Sequence, residues 1–338
     1  MTVLVSSIQE IARILREKHS FLLTTHVNPD GDGLGCEYGL YHVLRRLGKE
    51  VRVINAADLP ENYAFLDGDV FETYDGSAHD SWIVSADVVM ILDTNEMERI
   101  GDLGTVVQES EALKVIVDHH LHPSAVADLY FIDDQASSTG ELVFSLLQEL
   151  IGLNFGYEAA LGLYTAIMTD TGSFRFPRST PRVHRIVADL LEHGINPAHV
   201  YEAVYESYPL RRARLLGLML RDITAVAGGR VTITTVTRAM FEEAGAVQED
   251  VDDMVNYGLA IRGVEMTILL VETGKGVRMS FRSRGDVPVN ELAVKFGGGG
   301  HCNAAGAFVS DTSLVDVRVR LEKELEDFIS TRFGPESR

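Results

Sequence analysis

The spacing of apolar residues changes character near residue 230, and that change divides the chain. Before it, short continuous apolar runs alternate with segments of helical spacing. Residues 21–23, 51–54, 88–92, 113–117 and 129–132 read as buried strands, because strands covered on both faces lose polar alternation. Helical spacing occupies 6–18, a stretch from the turn after Asp30 to about Leu47, 138–151, 157–170, 181–192 and 197–205. Ser6 with Glu10 marks the approximate start of the first helix, and Gly48 the cap of the second. Residues 55–80 are mixed and acidic and are assigned to loop with short elements. Such alternation predicts an α/β domain with a doubly wound, mainly parallel sheet.

Residues 207–221 predict a connecting helix. Past Gly228 and Gly229, residues 231–236, 266–271 and 277–281 alternate as half-buried strands do. Helices are expected at 238–244, 248–257, 290–295 and 313–330, giving a smaller α+β domain. The expected organisation is a first domain over 1–205, a linker helix over 206–221 and a second domain over 222–338. A chain of 338 residues fits two cores, since single cores stop growing at roughly 250–300 residues.

Composition narrows the function classes. A net charge of −20 argues against binding long duplex nucleic acid through a broad basic face. It leaves room for a small anionic substrate held locally. No run reaches the ~18 apolar residues of a membrane span, and no signal peptide is expected. Cys36 and Cys302 are far apart and lack a CxxC partner, which fits a reducing cytoplasm and disfavours a thiolate zinc site.

Candidate chemistry lies where the apolar runs end. The first is followed by His26, Val27, Asn28, Pro29, Asp30, Gly31 and Asp32. One nitrogen and two carboxylates suit Mn²⁺, Mg²⁺ or Zn²⁺. Asn, Pro, Asp and Gly are also ordinary turn residues, so this stretch alone fits a plain strand-to-helix turn equally well. Later strand ends add Asp93, then Asp118, His119 and His120, and a helix end adds Asp170. Helix caps do not explain several acids converging on one sheet edge. Uncompensated, they would repel one another and their pKa values would rise. Two divalent cations sharing a bridging carboxylate resolve that conflict, an arrangement suited to phosphoryl displacement. Gly31 is expected to let Asp30 and Asp32 point at different ions.

Taken in order, the His26 to Asp32 run, Asp93 with Thr94, Asp118-His119-His120 and Thr169-Asp170-Thr171-Gly172 resemble the four motifs of the DHH phosphoesterases. The run from Gly297 to Gly306, with His301 inside it, resembles the glycine-rich motif of the DHH-associated C-terminal domain. The likeness covers about 15–310, most closely the two-domain nano-RNase and pAp phosphatase group. It implies that His26, Asp30 and Asp93 hold one Mn²⁺ (Mg²⁺ or another divalent metal being possible) and that Asp32, Asp93, His119 and Asp170 hold a second, with Asp93 bridging. His120 would face the scissile phosphate, and Asp118 would orient a ligand histidine. The second domain would close over the cleft. Its substrate groups would be Gly299, Gly300, His301 and Arg282; Arg278 and Arg284, clustered near the same strand end, and Arg99, in the first domain, fit a substrate role and an ordinary surface arginine alike. The implied substrates are short RNA or DNA oligonucleotides, linear dinucleotides such as pApA, and 3′-phosphoadenosine 5′-phosphate. Related proteins suggest a homodimer.

Three alternatives remain at this stage: an inorganic pyrophosphatase or polyphosphatase, a cyclic dinucleotide phosphodiesterase, and a nucleotide-binding sensor without activity. His42, His79, His122, His184, His193 and His199 fit no ligand set, and Cys36 is read as a packing residue.

Overall fold

Residues 6–66, 68–120 and 124–333 are described by the computed structural model. His122 lies outside the described residues. The chain divides into two compact units, 1–207 and 208–338.

The first unit runs α1 (Ile8–Glu17), β1 (Ser20–Thr24), α2 (Gly31–Arg46), β2 (Glu50–Asn55), β3 (Phe71–Thr73), α3 (Gly76–Ser85), β4 (Val88–Leu92), α4 (Leu103–Glu109), β5 (Leu113–Asp118), β6 (Leu129–Ile132), α5 (Thr139–Ile151), α6 (Tyr157–Asp170), α7 (Pro181–Leu191) and α8 (Pro197–Tyr205). All six strands pair in parallel, in the order β3-β2-β1-β4-β5-β6. The order reverses between β1 and β4, and open sheets of this kind bind ligands beyond the strand ends at that point.

The two faces of the sheet explain the unbroken apolar runs. Phe21, Leu23, Val53, Met90 and Val117 pack against α1, α2, α5 and α6. Leu22, Ile54, Val89, Ile91 and Ile116 enter a separate core with Ile83 of α3 and Leu103 and Val107 of α4. Consecutive residues of one strand are therefore buried on opposite sides. The first helix is capped one residue later than Ser6. Ser7 accepts from the Glu10 N–H, which restores the three-residue spacing of a capping box. β3 and the start of α3 are among the short elements of the acidic stretch 55–80, where polar residues obscure the period.

Helices α2 and α6 approach closely through small residues. A Cβ on Gly35 would lie 2.3 Å from the Gly162 carbonyl oxygen, and one on Gly162 would lie 2.5 Å from the Gly35 oxygen. Gly31 obeys the same constraint. It occupies the first turn of α2, where a Cβ would strike the Thr169 side chain at 2.4 Å. Glycine at this position gives steric clearance for Thr169.

The second unit runs α9 (Leu210–Arg221), β7 (Thr224–Val226), β8 (Val231–Val236), α10 (Arg238–Ala244), α11 (Asn256–Leu259), β9 (Met266–Thr273), β10 (Gly276–Ser283), α12 (Val289–Val294), β11 (Gly299–His301), β12 (Ala304–Ser310) and α13 (Leu314–Phe333). The helix expected as a connector, α9, buries Leu215 and Met219 against Val236, Met240 and Leu269 of this unit. The sheet order is β11-β12-β10-β9-β8-β7, with only β8 and β9 parallel. Part of the glycine-rich run is thus an edge strand and not a loop. Residues 248–257 form a 3₁₀ turn and α11 instead of one helix.

These glycine environments predict opposite signs for one substitution. Gly35→Ala crowds the α2–α6 crossing and is expected to cost about 1–3 kcal/mol. Gly217, inside α9, has nothing within 4 Å of a built Cβ. Gly217→Ala is expected to stabilise by about 0.5–1 kcal/mol, because glycine loses more backbone entropy in a helix. Denaturant unfolding of the two variants checks both signs.

Candidate metal centre

The candidate ligands gather at the carboxyl edge of the first sheet, around the β1/β4 switch point. His26 follows β1 and Asp93 follows β4 directly, while Asp118, His119 and His120 stand at the end of β5. Asp93 adopts a left-handed backbone conformation, φ 59°, uncommon for a non-glycine residue though more accessible to Asp than to most. Its N–H still bonds to the Val117 carbonyl at 3.0 Å. The carboxylate is thereby turned across the strand ends and is only 3 % exposed.

Asp93 divides its two oxygens. Oδ2 lies 3.5 Å from His26 Nε2, and that nitrogen lies 3.8 Å from Asp30 Oδ2. Oδ1 lies 3.7 Å from His119 Nε2, which is 3.8 Å from Asp32 Oδ2 and 3.4 Å from Asp170 Oδ2. Two donor groups result, His26/Asp30/Asp93 and Asp32/His119/Asp170, with Asp93/His119/His120 overlapping them. Such donor spacings are those of ligands surrounding an ion at about 2.0–2.2 Å.

Two helix N-termini hold the carboxylates. Asp30 caps α2, its Oδ1 accepting from Asp32 N–H at 3.0 Å and Gly33 N–H at 3.3 Å. Its other oxygen is the one facing His26. Asp32 accepts from the first N–H groups of α5, Thr139 at 2.6 Å and Gly140 at 2.8 Å, where the helix dipole favours negative charge. The Thr139 hydroxyl donates to Asp93 Oδ1 at 3.0 Å. Side-chain exposure is 55 % at Asp30, 33 % at Asp170 and 29 % at His120, so the centre opens to solvent at these three residues.

The electrostatics record a crowded set of acids. Burial, then the charges of Asp170 and Asp30, push Asp32 well above the carboxylate range. Burial and neighbouring Asp32 do the same to Asp93. Burial and Asp30 raise Asp170 to about 7. Burial, with the His120 charge, pulls His119 down to about 4, and burial chiefly lowers His26. Neutral imidazoles beside carboxyls that resist ionisation form a set that a divalent cation could hold together. The donor set therefore fits hard to borderline divalent metals.

Family comparison agrees. The DHH family N-terminal domain matches residues 20–169, and the DHHA1 domain matches 228–331. The chain belongs to the DHH family. It is 34% identical over 312 residues to the bifunctional oligoribonuclease and PAP phosphatase NrnA of Thermus thermophilus, covering 92% of this chain and 90% of that protein. The Bacillus subtilis protein of the same name is 28% identical, with 89% and 92% covered. Among solved structures, an exopolyphosphatase-related protein from Bacteroides fragilis superposes with a TM-score of 0.92 at 30% identity, covering 97% and 98% of the two chains. The DHH-family chain is accordingly a metal-dependent phosphoesterase, and no helix among its described residues is long and apolar enough to cross a membrane.

One expected role changes partner. The Asp118 side chain meets the ring of His120 and not that of His119. Its Oδ1 bonds to His120 Nδ1 at 2.7 Å, the histidine expected to face phosphate, and to the backbone N–H of His119. Burial alone would raise Asp118 and lower His120. Their mutual bond and charges outweigh it, holding Asp118 below and His120 above their ordinary values. Asn95 fixes the other Asp118 oxygen at 2.7 Å.

Arg99 lies beside the centre, close enough for its charge to act on His26 and His120. Arg178 does the same to His119 and Asp170 while donating to the Ala136 carbonyl at 3.2 Å. Sequence reasoning missed Arg178 and Asn95, which carry no spacing signal. The helix expected from 138 begins beside the centre, where its Thr139 and Gly140 bind Asp32. Cys36 is buried, and burial with the Asp32 charge pushes its thiol far up, consistent with packing.

In the second unit, Arg282 of β10 pairs with Ala304 of β12, which pairs with His301 of β11. These three residues form one rung, with a small residue between two donors. The three arginines are not one cluster. Arg278 lies four residues away and bonds to Asp252 at 3.2 Å, and Arg284, past the strand, bonds to the Leu259 carbonyl at 2.7 Å. Gly300 has φ 135°, and a Cβ there would lie 2.6 Å from the Ala304 oxygen, which explains glycine at that position.

The raised carboxyls carry a stability prediction. A carboxyl with a folded-state pKa above its unfolded value contributes stability below the unfolded pKa and loses it as pH rises through the folded one. For Asp170 that window runs from 3.8 to about 7. Metal-free protein is therefore expected to lose thermal stability as pH rises from about 4 to about 7, and saturating Mn²⁺ to reverse the loss at pH 7. Melting curves in chelator and in Mn²⁺ check this.

Proposed function

We propose that the chain is a two-cation phosphohydrolase, with manganese as its working metal, acting in the cytoplasm on very short nucleic acids. Its reactions are the cleavage of short oligonucleotides and linear dinucleotides of the pApA type to mononucleotides, and the conversion of 3′-phosphoadenosine 5′-phosphate to AMP. The observation that carries this reading is the divided carboxylate of Asp93, with one donor group against each oxygen. The likeness to the Thermus and Bacillus oligoribonuclease and PAP phosphatase proteins supplies the substrate class.

His26, Asp30 and Asp93 would hold one cation, and Asp32, Asp93, His119 and Asp170 the other. Cations bound there supply electrophilic stabilisation of phosphoryl oxygens and a water of lowered pKa. The chain's own groups do the rest. His120, partly exposed and with Nδ1 fixed by Asp118, presents a charge-assisted donor to a phosphate oxygen. Its raised pKa keeps it protonated further into the neutral range. Arg99 and Arg178 add positive charge at the rim. In the second unit, Arg282, His301 and the backbone of Gly299 and Gly300 are proposed as substrate groups, Arg282 being half-buried with its pKa lowered by burial. The acidic chain, net charge −20, disfavours long duplexes. A homodimer is the proposed assembly.

A second reading, polyphosphate or pyrophosphate hydrolysis, is favoured by the description of the Bacteroides protein. One panel with Mn²⁺ decides: pAp, pApA, RNA of two to about twenty nucleotides, cyclic di-AMP, pyrophosphate and polyphosphate. The expected outcome is turnover that falls steeply with RNA length, with little action on pyrophosphate or polyphosphate. Equal rates on dinucleotides and long strands would sink the short-substrate reading. Asp93→Ala is expected to lower kcat at least about a thousand-fold, equivalent to ~4 kcal/mol of lost transition-state stabilisation. Arg282→Ala is expected to act mainly by raising KM, and steady-state kinetics separates the two effects.

A further inference from the structure

The acid Glu37 takes no part in the chemistry above, yet it is fully buried in α2, at 0% exposure. Its Oε2 accepts from Asn55 Nδ2 at 2.9 Å. Asn55 ends β2 and is itself 2% exposed. Its Oδ1 accepts from the Thr25 N–H at 3.0 Å and the Thr24 hydroxyl at 3.3 Å. Thr25 in turn donates its hydroxyl to the Leu92 carbonyl at 2.9 Å. Thr25 precedes His26, and Leu92 precedes Asp93. One buried chain of hydrogen bonds therefore runs from Glu37 to the residues just before two ligands of the same donor group.

We propose that Glu37, acting through Asn55, is a positioning residue that sets His26 against Asp93 and so tunes one of the two cation sites selectively. This inference rests on the two-cation reading. The chemistry of the Asn side chain supplies the reason. An amide can present either its carbonyl or its amino group to Thr25. Only the carbonyl satisfies the Thr25 N–H. The Glu37 oxygen on the far side supports that choice by accepting from the amino group. Without it, the buried Asn55 amino group loses its acceptor and the amide is no longer held in place against Thr25. His26 belongs to this donor group alone; Asp93 is shared with the other but is also held by the Thr139 hydroxyl, and the other group's Asp32 is fixed by the N-terminus of α5.

Burial raises the Glu37 carboxyl to about 8, so it is largely protonated at neutral pH. Glutamine is then a close mimic, with its carbonyl available to Asn55. Alanine removes the acceptor. Partners of metal-binding side chains typically alter metal affinity by about 10–100-fold when removed.

The test is a Mn²⁺ titration of the metal-free full-length protein, following free Mn²⁺ by electron paramagnetic resonance, with a thermal melt in chelator beside it. Wild type is expected to bind two ions. Glu37→Ala is expected to weaken one of them by about 10–100-fold and leave the other within about two-fold. Glu37→Gln is expected to restore both. Leu44→Ala, a core truncation further along α2, controls for lost stability and is expected to leave both affinities near wild type. Should Glu37→Ala fail to fold, Asn55→Ala carries the same expected loss. Unchanged affinities in the alanine variants, a parallel loss of both ions, or a glutamine variant as weak as alanine would each overturn the proposal. A wild-type chain that takes up only one ion overturns the two-cation reading as well, which separates the two failures.

Discussion

Crowding of carboxylates at the β1/β4 switch point is the constraint on which the first unit is arranged. Asp32, Asp93 and Asp170 each sit where burial and their neighbours oppose ionisation. Hydrogen bonds from Thr139 and Gly140 offset only part of that for Asp32. A fold that tolerates such a set must fix the acids by groups other than one another. Two helix N-termini and one left-handed aspartate do so here. The parallel sheet supplies the remainder, because its strand ends bring His26, Asp93 and His119 to one edge while both faces stay sealed by helices.

Much of this was legible in the sequence for a physical reason. Parallel strands buried on both sides appear as uninterrupted apolar runs, and a polar residue that ends such a run marks the sheet edge. His26, Asp93 and the Asp118–His120 triplet were all found in that way. What escaped was information carried by backbone geometry and side-chain direction. Nothing in the order Asp118, His119, His120 says which histidine takes the aspartate. The structure assigns it to His120, since Nδ1 of that ring meets Oδ1 at 2.7 Å. Likewise, Gly31 reads as a flexible turn residue until Thr169 is seen to occupy the space of its missing side chain. Arg178 was invisible because a single arginine in a Pro- and Ser-containing loop has no period.

The second unit shows the complementary limit. Glycine-rich stretches lack side-chain patterning, so a run such as 297–306 reads as loop. In the structure it makes an edge hairpin, with Gly299 opposite Gly306 and His301 opposite Ala304. Register then becomes the informative quantity. Residues directly opposite on paired strands share a face, which sets Arg282 and His301 on the same side of the sheet across the small Ala304. The alternate positions of β10, Val277, Met279 and Phe281, fill the core. A sequence reader sees three arginines within seven residues. The register separates Arg282, on the rung with His301, from Arg278 and Arg284, which are engaged elsewhere.

Burial also differentiates the ligands from one another. Asp93 and Asp32 are almost wholly enclosed, whereas Asp30 and Asp170 reach solvent. Each donor group thus combines an enclosed carboxylate with an exposed one. The enclosed member has few alternatives to its observed position, since interior side chains move only with their neighbours. The exposed member faces solvent, although Asp30 also caps α2. His120 shares the open side, with Asp170 near enough for its charge to act on it. The same sheet edge thus sets enclosed acids at its back and solvent-facing acids, with His120, at its mouth.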